Sequence, residues 1–331
     1  MRLGIAGSGM IVRDLFRFIH DVEGIELEAI ASTPKSIDKV KKMAEEEGIK
    51  KYYPDYQHLL DDDEIEVMYI ASPNHLHYSM CKEALEHGKH VICEKPFTSR
   101  VEELEELNNI AKSKKLLLLE AISTQYLPNV LKIKELLPEL GQIKIFSANY
   151  SQYSSRYDAF KQGNILSAFD YTKSGGALMD LNIYNIHLAV ALFGQPNKVH
   201  YDANIENNID TSGIITLDYG SFKAALIAAK DCKAPLMTSI QGDKGSIIIH
   251  TPANTLTCFD HLLNDNTTTP YALQDDKHRM YFEFVEFVKI FNEMNFEKAG
   301  KMMKNSLIAM DIATKARISA GVHFKADEAY E

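Results

Sequence analysis

The stretch that decides the fold is Gly4-Ile5-Ala6-Gly7-Ser8-Gly9-Met10-Ile11-Val12. The apolar run Leu3–Ala6 leads into it. Met10–His20 leaves it with apolar residues at helical spacing, Ile11, Leu15, Phe16 and Ile19. A glycine turn joining a strand to a helix can seat a pyrophosphate: Gly7 makes the tight turn, and Gly9 lets the backbone come close to the ligand. Ser8, Met10 and Ile11 complete the segment expected to touch it. The third glycine of the usual fingerprint is replaced by Val12. That glycine serves helix–strand packing, so its loss is expected to move the helix outward and leave the site intact.

Outward from this turn, short apolar runs alternate with helical patterns. The strands are Leu27–Ala31, Val67–Ala71, His90–Cys93 and Leu116–Leu119, and the helices are Lys35–Glu47, His75–His87 and Val101–Ser113. Strands apolar at every position, separated by helices, mean a parallel sheet covered on both faces. Beyond about residue 120 the rhythm changes. Ile143–Tyr153, Ile214–Tyr219, Phe222–Ala228, Leu236–Gln241 and Ser246–His250 read as strands, with helices at Gly176–Phe193, His278–Met294 and Lys301–Gly321. The expected fold class is α/β: an N-terminal doubly wound Rossmann sheet over 1–120, then a C-terminal α+β domain over 121–331 on a largely antiparallel open sheet. The final helices of the second domain are able to pack back on the first.

Composition excludes several classes. Thirty-six basic against 46 acidic residues give a charge of −10, which repels nucleic acid and anionic membranes. No apolar run reads as long enough to span a bilayer, and a strand from Arg2 onward leaves no room for a leader. The four cysteines show neither metal-ligand spacing nor a disulfide framework, so no metal is expected and a reducing cytoplasm is.

Three further segments carry chemistry. After the second strand, Ala31-Ser32-Thr33-Pro34-Lys35-Ser36 has no carboxylate for a ribose 2′-hydroxyl. Ser32, Thr33 and Lys35 suit a 2′-phosphate, which favours NADP over NAD, although the same residues would also cap the next helix. In Val91-Ile92-Cys93-Glu94-Lys95-Pro96, the proline keeps Lys95 extended at the carboxyl edge of a strand, the edge where doubly wound sheets bind ligands. Glu94, Lys95 and Pro96 are expected at the dinucleotide, with Ser72, Pro73, Asn74 and His77 from the preceding strand end. Desolvation and the positive nicotinamide ring would lower the pKa of Lys95 toward a useful range, against the simpler reading of a lysine paired with Glu94. Lastly, Gly176–Phe193 is apolar nearly all round. On it, Asp180, Tyr184 and His187 fall within about 60° at 100° per residue, one polar stripe on a buried helix.

Together these residues resemble the Gfo/Idh/MocA oxidoreductases. Gly4–Gly9, Tyr69–His77, Glu94-Lys95-Pro96, Glu120-Ala121, Gly175–Tyr184 and Gly242-Asp243-Lys244-Gly245 carry the resemblance over essentially the whole chain. It implies hydride transfer between nicotinamide C4 and a secondary alcohol or hemiacetal carbon of a sugar, polyol or cyclic diol. It also implies a homodimer or homotetramer through the C-terminal sheet. Lys95 matches the family's catalytic lysine and Asp180 its substrate-site aspartate. Tyr184 is similar to the branch that holds glucose–fructose oxidoreductase, xylose dehydrogenase and dihydrodiol dehydrogenase. Gln125, Leu127, Asn182 and Asn185 depart from the family pattern at positions expected close to the substrate.

Tyr184 is expected to exchange the proton with Lys95 tuning it, or Lys95 to exchange it directly with Tyr184 positioning. Asp180, His187, Gln125 and Tyr153 are expected to bind substrate, with Arg156, Tyr157 and Tyr171 lining the same cleft. Two rival readings remain: a non-catalytic dinucleotide or sugar sensor, and an enzyme that alternates two sugars on a tightly held cofactor.

Overall fold

The computed structural model describes residues 1–330 and divides into two compact units. Unit 1 is 1–121 with 280–307, and unit 2 is 122–279 with 308–331. Unit 1 is built on six parallel strands: β1 (Arg2–Ala6), β2 (Glu26–Ala31), β3 (Lys51–Tyr53), β4 (Val67–Ile70), β5 (His90–Glu94) and β6 (Leu118–Ala121). Their order is β3-β2-β1-β4-β5-β6, the doubly wound arrangement that reverses direction at β1 and puts a ligand crevice beyond the strands' carboxyl ends. β1 and β4 to β6 are buried almost throughout, the reason their apolar runs do not alternate. The helix at Tyr281–Glu293 belongs to this unit: Phe284 packs edge-on against Phe18 and Tyr69, at 5.6 and 5.5 Å between ring centres.

Unit 2 carries eight strands: β7 (Ile143–Ser151), β8 (Lys198–Glu206), β9 (Ile209–Asp218), β10 (Lys223–Ala229), β11 (Met237–Gly242), β12 (Gly245–Ile249), β13 (Phe259–Leu263) and β14 (Thr268–Tyr271). The order is β14-β13-β12-β11-β7-β10-β9-β8, antiparallel except where β10 runs parallel to β7. Here the strands do alternate. Phe146, Ala148 and Tyr150 of β7 are buried, while Ile145, Ser147 and Asn149 face outward and are at least partly exposed.

Several expectations need correction. The first helix stops at Phe16 rather than His20, with a short 3-10 turn at Ile19–Asp21 after it. β3, β8, β13 and β14, and the helices Tyr56–Leu60, Pro128–Leu136 and Tyr157–Lys161, were not anticipated, being short, polar or lacking a clean period. The stretch 171–193 is in fact long and apolar enough to cross a membrane, but 78% of its most apolar window is buried, as in a core helix.

Candidate active site

In unit 1, Gly7, Ser72 and Lys95 follow the carboxyl ends of β1, β4 and β5, three adjacent strands. Gly7 has φ +138°, and a Cβ there would lie 2.4 Å from the Ala71 carbonyl, so only glycine lets these two strand ends close up. Gly9 is different: a Cβ on it would meet nothing within 4 Å. The room beside Gly9 fits a ligand phosphate laid against the backbone. Val12 is fully buried and fills the place of the missing third glycine.

The Ser8 hydroxyl donates to Ser32 Oγ at 3.1 Å, tying the turn to the end of β2. Thr33 and Ser36 bond each other at 3.3 Å, and neither caps the following helix with its side chain. The side chains therefore do not cap the helix backbone and bond one another instead. Lys35 is exposed. The cation that reaches the turn is Lys39, one helical turn later, whose ammonium donates to the Ser8 carbonyl. Lys39 also lines a cavity of about 360 Å³ with Arg13 and Lys42. Sequence reading missed Lys39. Its signal was a second lysine soon after Lys35, in the first turn of the helix Ile37–Glu47 that follows β2.

At the next strand end, Ser72 Oγ is buried without a hydrogen-bond partner, an orphaned polar atom that a dinucleotide would satisfy. Pro73 is exposed and Asn74 partly so, as an accessible rim requires. His77 is not on that rim. It is 1% exposed, its Nδ1 lies 2.9 Å from the Pro96 carbonyl and its Nε2 2.9 Å from the Ser72 carbonyl. Burial lowers its pKa. His77 thus braces two loops from behind and presents no free group to a ligand.

Glu94 is likewise turned into the core, where Tyr69 donates its hydroxyl at 2.5 Å. Lys95 is half-buried, and a cis peptide joins it to Pro96. The segment after it is locked. Phe97 and Thr98 are fully buried, Thr98 Oγ1 donates to the Arg100 carbonyl at 2.7 Å, and Arg100 grips Glu102 through two contacts of 2.9 and 3.1 Å. The backbone that carries Lys95 is therefore rigid.

In unit 2 the polar stripe lies on a helix that is not regular. Residues Leu178–Asn182 form a π-turn, and the α-helix proper is Ile183–Phe193. The 100° arithmetic does not hold across a π-turn, so Asp180 is displaced relative to Tyr184. Such turns recur at functional sites. Tyr184 is 6% exposed, with its ring 6.1 Å from that of Tyr150, and His187 is 1% exposed. Asp180 keeps 38% of its side chain exposed, and its Oδ2 lies 2.8 Å from Lys230 Nζ.

Asn182 and Asn185 do not face substrate. Asn182 donates to the Leu226 carbonyl at 3.1 Å and Asn185 to the Ile227 carbonyl at 3.1 Å, riveting the helix to β10. Gln125 sits in a buried 3-10 turn, and Leu127 is fully buried. Tyr153 is 39% exposed and bonds Asp158 at 2.8 Å. Tyr157 and Phe160 stack with Phe169 in a small core, Tyr157 bonding Glu206 at 2.8 Å, so Tyr157 supports the loop rather than lining it. Tyr171 is exposed.

Among the described residues no group of three or more His, Cys, Asp or Glu is placed to hold a metal ion. The dinucleotide is a different matter. The room at Gly9, the hydroxyls of Ser8 and Ser32, the Lys39 ammonium and the orphaned Ser72 hydroxyl fit a phosphate-bearing cofactor.

Comparison with known proteins agrees. A family model described as an oxidoreductase family with an NAD-binding Rossmann fold matches residues 1–121, and the GFO/IDH/MocA C-terminal domain matches 130–248. The scyllo-inositol 2-dehydrogenase (NADP(+)) IolU of Bacillus subtilis (strain 168) is 34% identical over 99% of this chain and 100% of its own. The trans-1,2-dihydrobenzene-1,2-diol dehydrogenase of Sus scrofa is 27% identical over 76% of this chain and 75% of its own. The 3-ketoreductase KijD10 of Actinomadura kijaniata, in complex with TDP-benzene and NADP, shares the fold with a TM-score of 0.80 at 22% identity, over 96% of this chain and 97% of its own. A levoglucosan dehydrogenase in complex with NADH and levoglucosan does so with a TM-score of 0.80 at 18% identity, over 97% of each chain. The chain belongs to the Gfo/Idh/MocA family of NAD(P)-dependent oxidoreductases.

Proposed function

We propose that this chain is an NADP-dependent dehydrogenase of cyclic polyols, with an inositol-like ring as the leading substrate class. One observation carries the reading: Gly7, Ser72 and Lys95 stand on three adjacent strand ends of a sheet whose order puts ligands there. The preference for NADP rests on Ser8, Ser32 and Lys39 around a β2 end that has no carboxylate. The full-length similarity to a scyllo-inositol 2-dehydrogenase that uses NADP supports the substrate class.

When bound, the nicotinamide accepts or supplies a hydride at C4. Tyr184 as phenolate takes the proton from the substrate hydroxyl during oxidation, and as phenol returns it during reduction, while Lys95 holds the developing alkoxide charge. Asp180 accepts hydrogen bonds from neighbouring substrate hydroxyls. An ionised carboxylate offers only acceptors, which suits a ring rich in hydroxyl donors. Gln125, Tyr153 and His187 shape the substrate's surroundings.

Ile145 and Ile214 are exposed on the outer face of the second sheet, and Ile145 lines a groove of about 440 Å³ with Val199 and Ala225 and the charged Lys198, Asp218 and Lys223. Such a face suits a homo-oligomer contact. A cytoplasmic location accords with its cysteines, two of which are buried and none paired.

The reading is tested by following reduced-nicotinamide absorbance over a panel of inositols, diols and aldoses with NADP+ and NAD+. We expect turnover of a cyclic polyol with kcat/KM at least about tenfold higher for NADP+, since one charge-assisted phosphate contact contributes roughly 1.5–3 kcal/mol. Tight dinucleotide binding without turnover of any member would favour the sensor.

A further inference from the structure

Lys230 is the one fully buried lysine among the described residues, and its ammonium meets a carboxylate that is itself partly exposed. It follows β10 directly, and its backbone N–H donates to the Thr211 carbonyl at 2.8 Å. The side chain is 1% exposed. Nζ donates to the Ala168 carbonyl at 2.5 Å, lies 4.4 Å from the centre of the Phe169 ring and is 2.8 Å from Asp180 Oδ2. Carbonyl, ring face and carboxylate surround the ammonium, leaving little freedom to shift. Phe169 in turn stacks on Phe160 at 4.8 Å, so the ring that steadies the cation is itself held.

The pair is unequal. A structural ion pair inside a protein normally buries both partners, because burying one charge gains little if the other stays hydrated. Here the cation is buried and the carboxylate is 38% exposed. What the arrangement achieves is direction. A half-exposed aspartate has several rotamers open to it, and a fixed Lys230 at 2.8 Å from Oδ2 narrows that choice. The backbone under Asp180 is fixed from both ends as well. Asp210 Oδ2 accepts from the Leu178 N–H at 2.6 Å, and Asn182 is bonded to β10. Turn and side chain are therefore both held, as a group that must meet a substrate within a fraction of an ångström requires.

We propose that Lys230 is a positioning residue for the reaction, holding the Asp180 carboxylate in the orientation that receives substrate hydroxyls. The proposal rests on the reading that Asp180 binds substrate. Lys230 itself touches neither substrate nor cofactor.

The test is a double-mutant cycle with Lys230→Met and Asp180→Asn, reading substrate KM, kcat, dinucleotide Kd and thermal midpoint. Lys230→Met is expected to raise substrate KM about tenfold or more, with a smaller change in kcat and dinucleotide Kd within twofold. In the Asp180→Asn background the same change should move KM less than twofold, and Lys230→Arg should restore most of the loss. Unchanged KM in Lys230→Met beside an impaired Asp180→Asn overturns the proposal, and so does an equal loss in both backgrounds, which would mark a structural role. Wild-type kinetics in Asp180→Asn would instead overturn the substrate role of Asp180, and the proposal with it. Should Lys230→Met not fold, Phe169→Leu loosens the ammonium without removing it and is read in the same cycle. A several-fold rise in KM only when Asp180 is present is expected, and equal rises in both backgrounds overturn the proposal.

Discussion

The two units solve the placement of functional groups in different ways. Unit 1 uses backbone. Its groups sit on strand ends and tight turns, and adjacency in a parallel sheet brings Gly7, Ser72 and Lys95 together whatever the loop chemistry around them. Unit 2 uses side chains held by other side chains. Its functional helix carries a π-turn, and buried polar groups (Asp210, Asn182, Asn185 and Lys230) fix it to β9 and β10 or at their ends. A backbone-built site tolerates sequence change outside its glycines. A side-chain-built one is sensitive at positions far from the chemistry.

Tyr184→Phe tests the side-chain half most severely. The hydroxyl is the only atom lost from a ring that is 6% exposed, so the fold should survive while kcat drops about 10³-fold. If instead kcat fell only a few-fold, Lys95 would be the direct proton carrier, which reverses the two roles.

The glycines separate packing from ligand contact within the backbone half. Gly7→Ala faces both the Ala71 carbonyl and a positive φ, so unfolding experiments should show a loss of about 3 kcal/mol. Gly9→Ala meets nothing within 4 Å. Its thermal midpoint should match wild type while dinucleotide Kd, measured by calorimetry, weakens about tenfold or more. Equal stability loss in both variants would contradict the assignment of Gly9 to the ligand.

Asp210 gives the pH signature of a helix held by a buried carboxyl. Burial pushes this group up to about 6 from an ordinary 3.8, although Leu178, Tyr201 and the Lys230 charge pull the other way. The folded chain therefore binds a proton that the unfolded chain has released between those values. Stability from this group is fullest below about pH 4 and declines by up to about 3 kcal/mol as pH rises through 6. Denaturant unfolding at pH 5 and pH 7.5 should show about half of this decline in wild type and a flatter profile in Asp210→Asn. The same slope in both proteins would remove Asp210 as its source.

The mildest expected change is Lys39→Ala. It should weaken NADP+ about tenfold and leave NAD+ within twofold, whereas Lys35→Ala should do neither. Steady-state KM for the two cofactors decides between these lysines.

This contrast also explains what could be read from residues alone. Five strands of the six-stranded sheet were legible because they are largely apolar and glycines punctuate the segments between them, features that depend on nearby residues only, whereas the short polar edge strand β3 was not. The placement of Lys95 at a strand end and of Asp180 on a largely buried helical stretch was legible for the same reason, each sitting in a distinctive local string. β8 and β14 were not, since edge strands with exposed, polar faces have weak periodicity. His77 and Tyr157 were misplaced because a ring is equally at home on a rim or in a brace, and only tertiary partners decide. Asn182 and Asn185 looked like departures at a substrate cleft, yet they anchor the helix to a strand about 40 residues away in sequence. Lys230 gave no signal at all, since nothing near it in sequence suggests that a lysine there is buried.

The most direct test of the account compares wild type with Lys95→Met in single-turnover reduction of NADP+ by scyllo-inositol or whichever cyclic polyol the panel selects. The account predicts rapid hydride transfer in wild type and a rate about 10³-fold lower in the variant, with dinucleotide Kd unchanged. Equal rates in the two proteins would contradict it, because the strand-end lysine would then have no part in the chemistry.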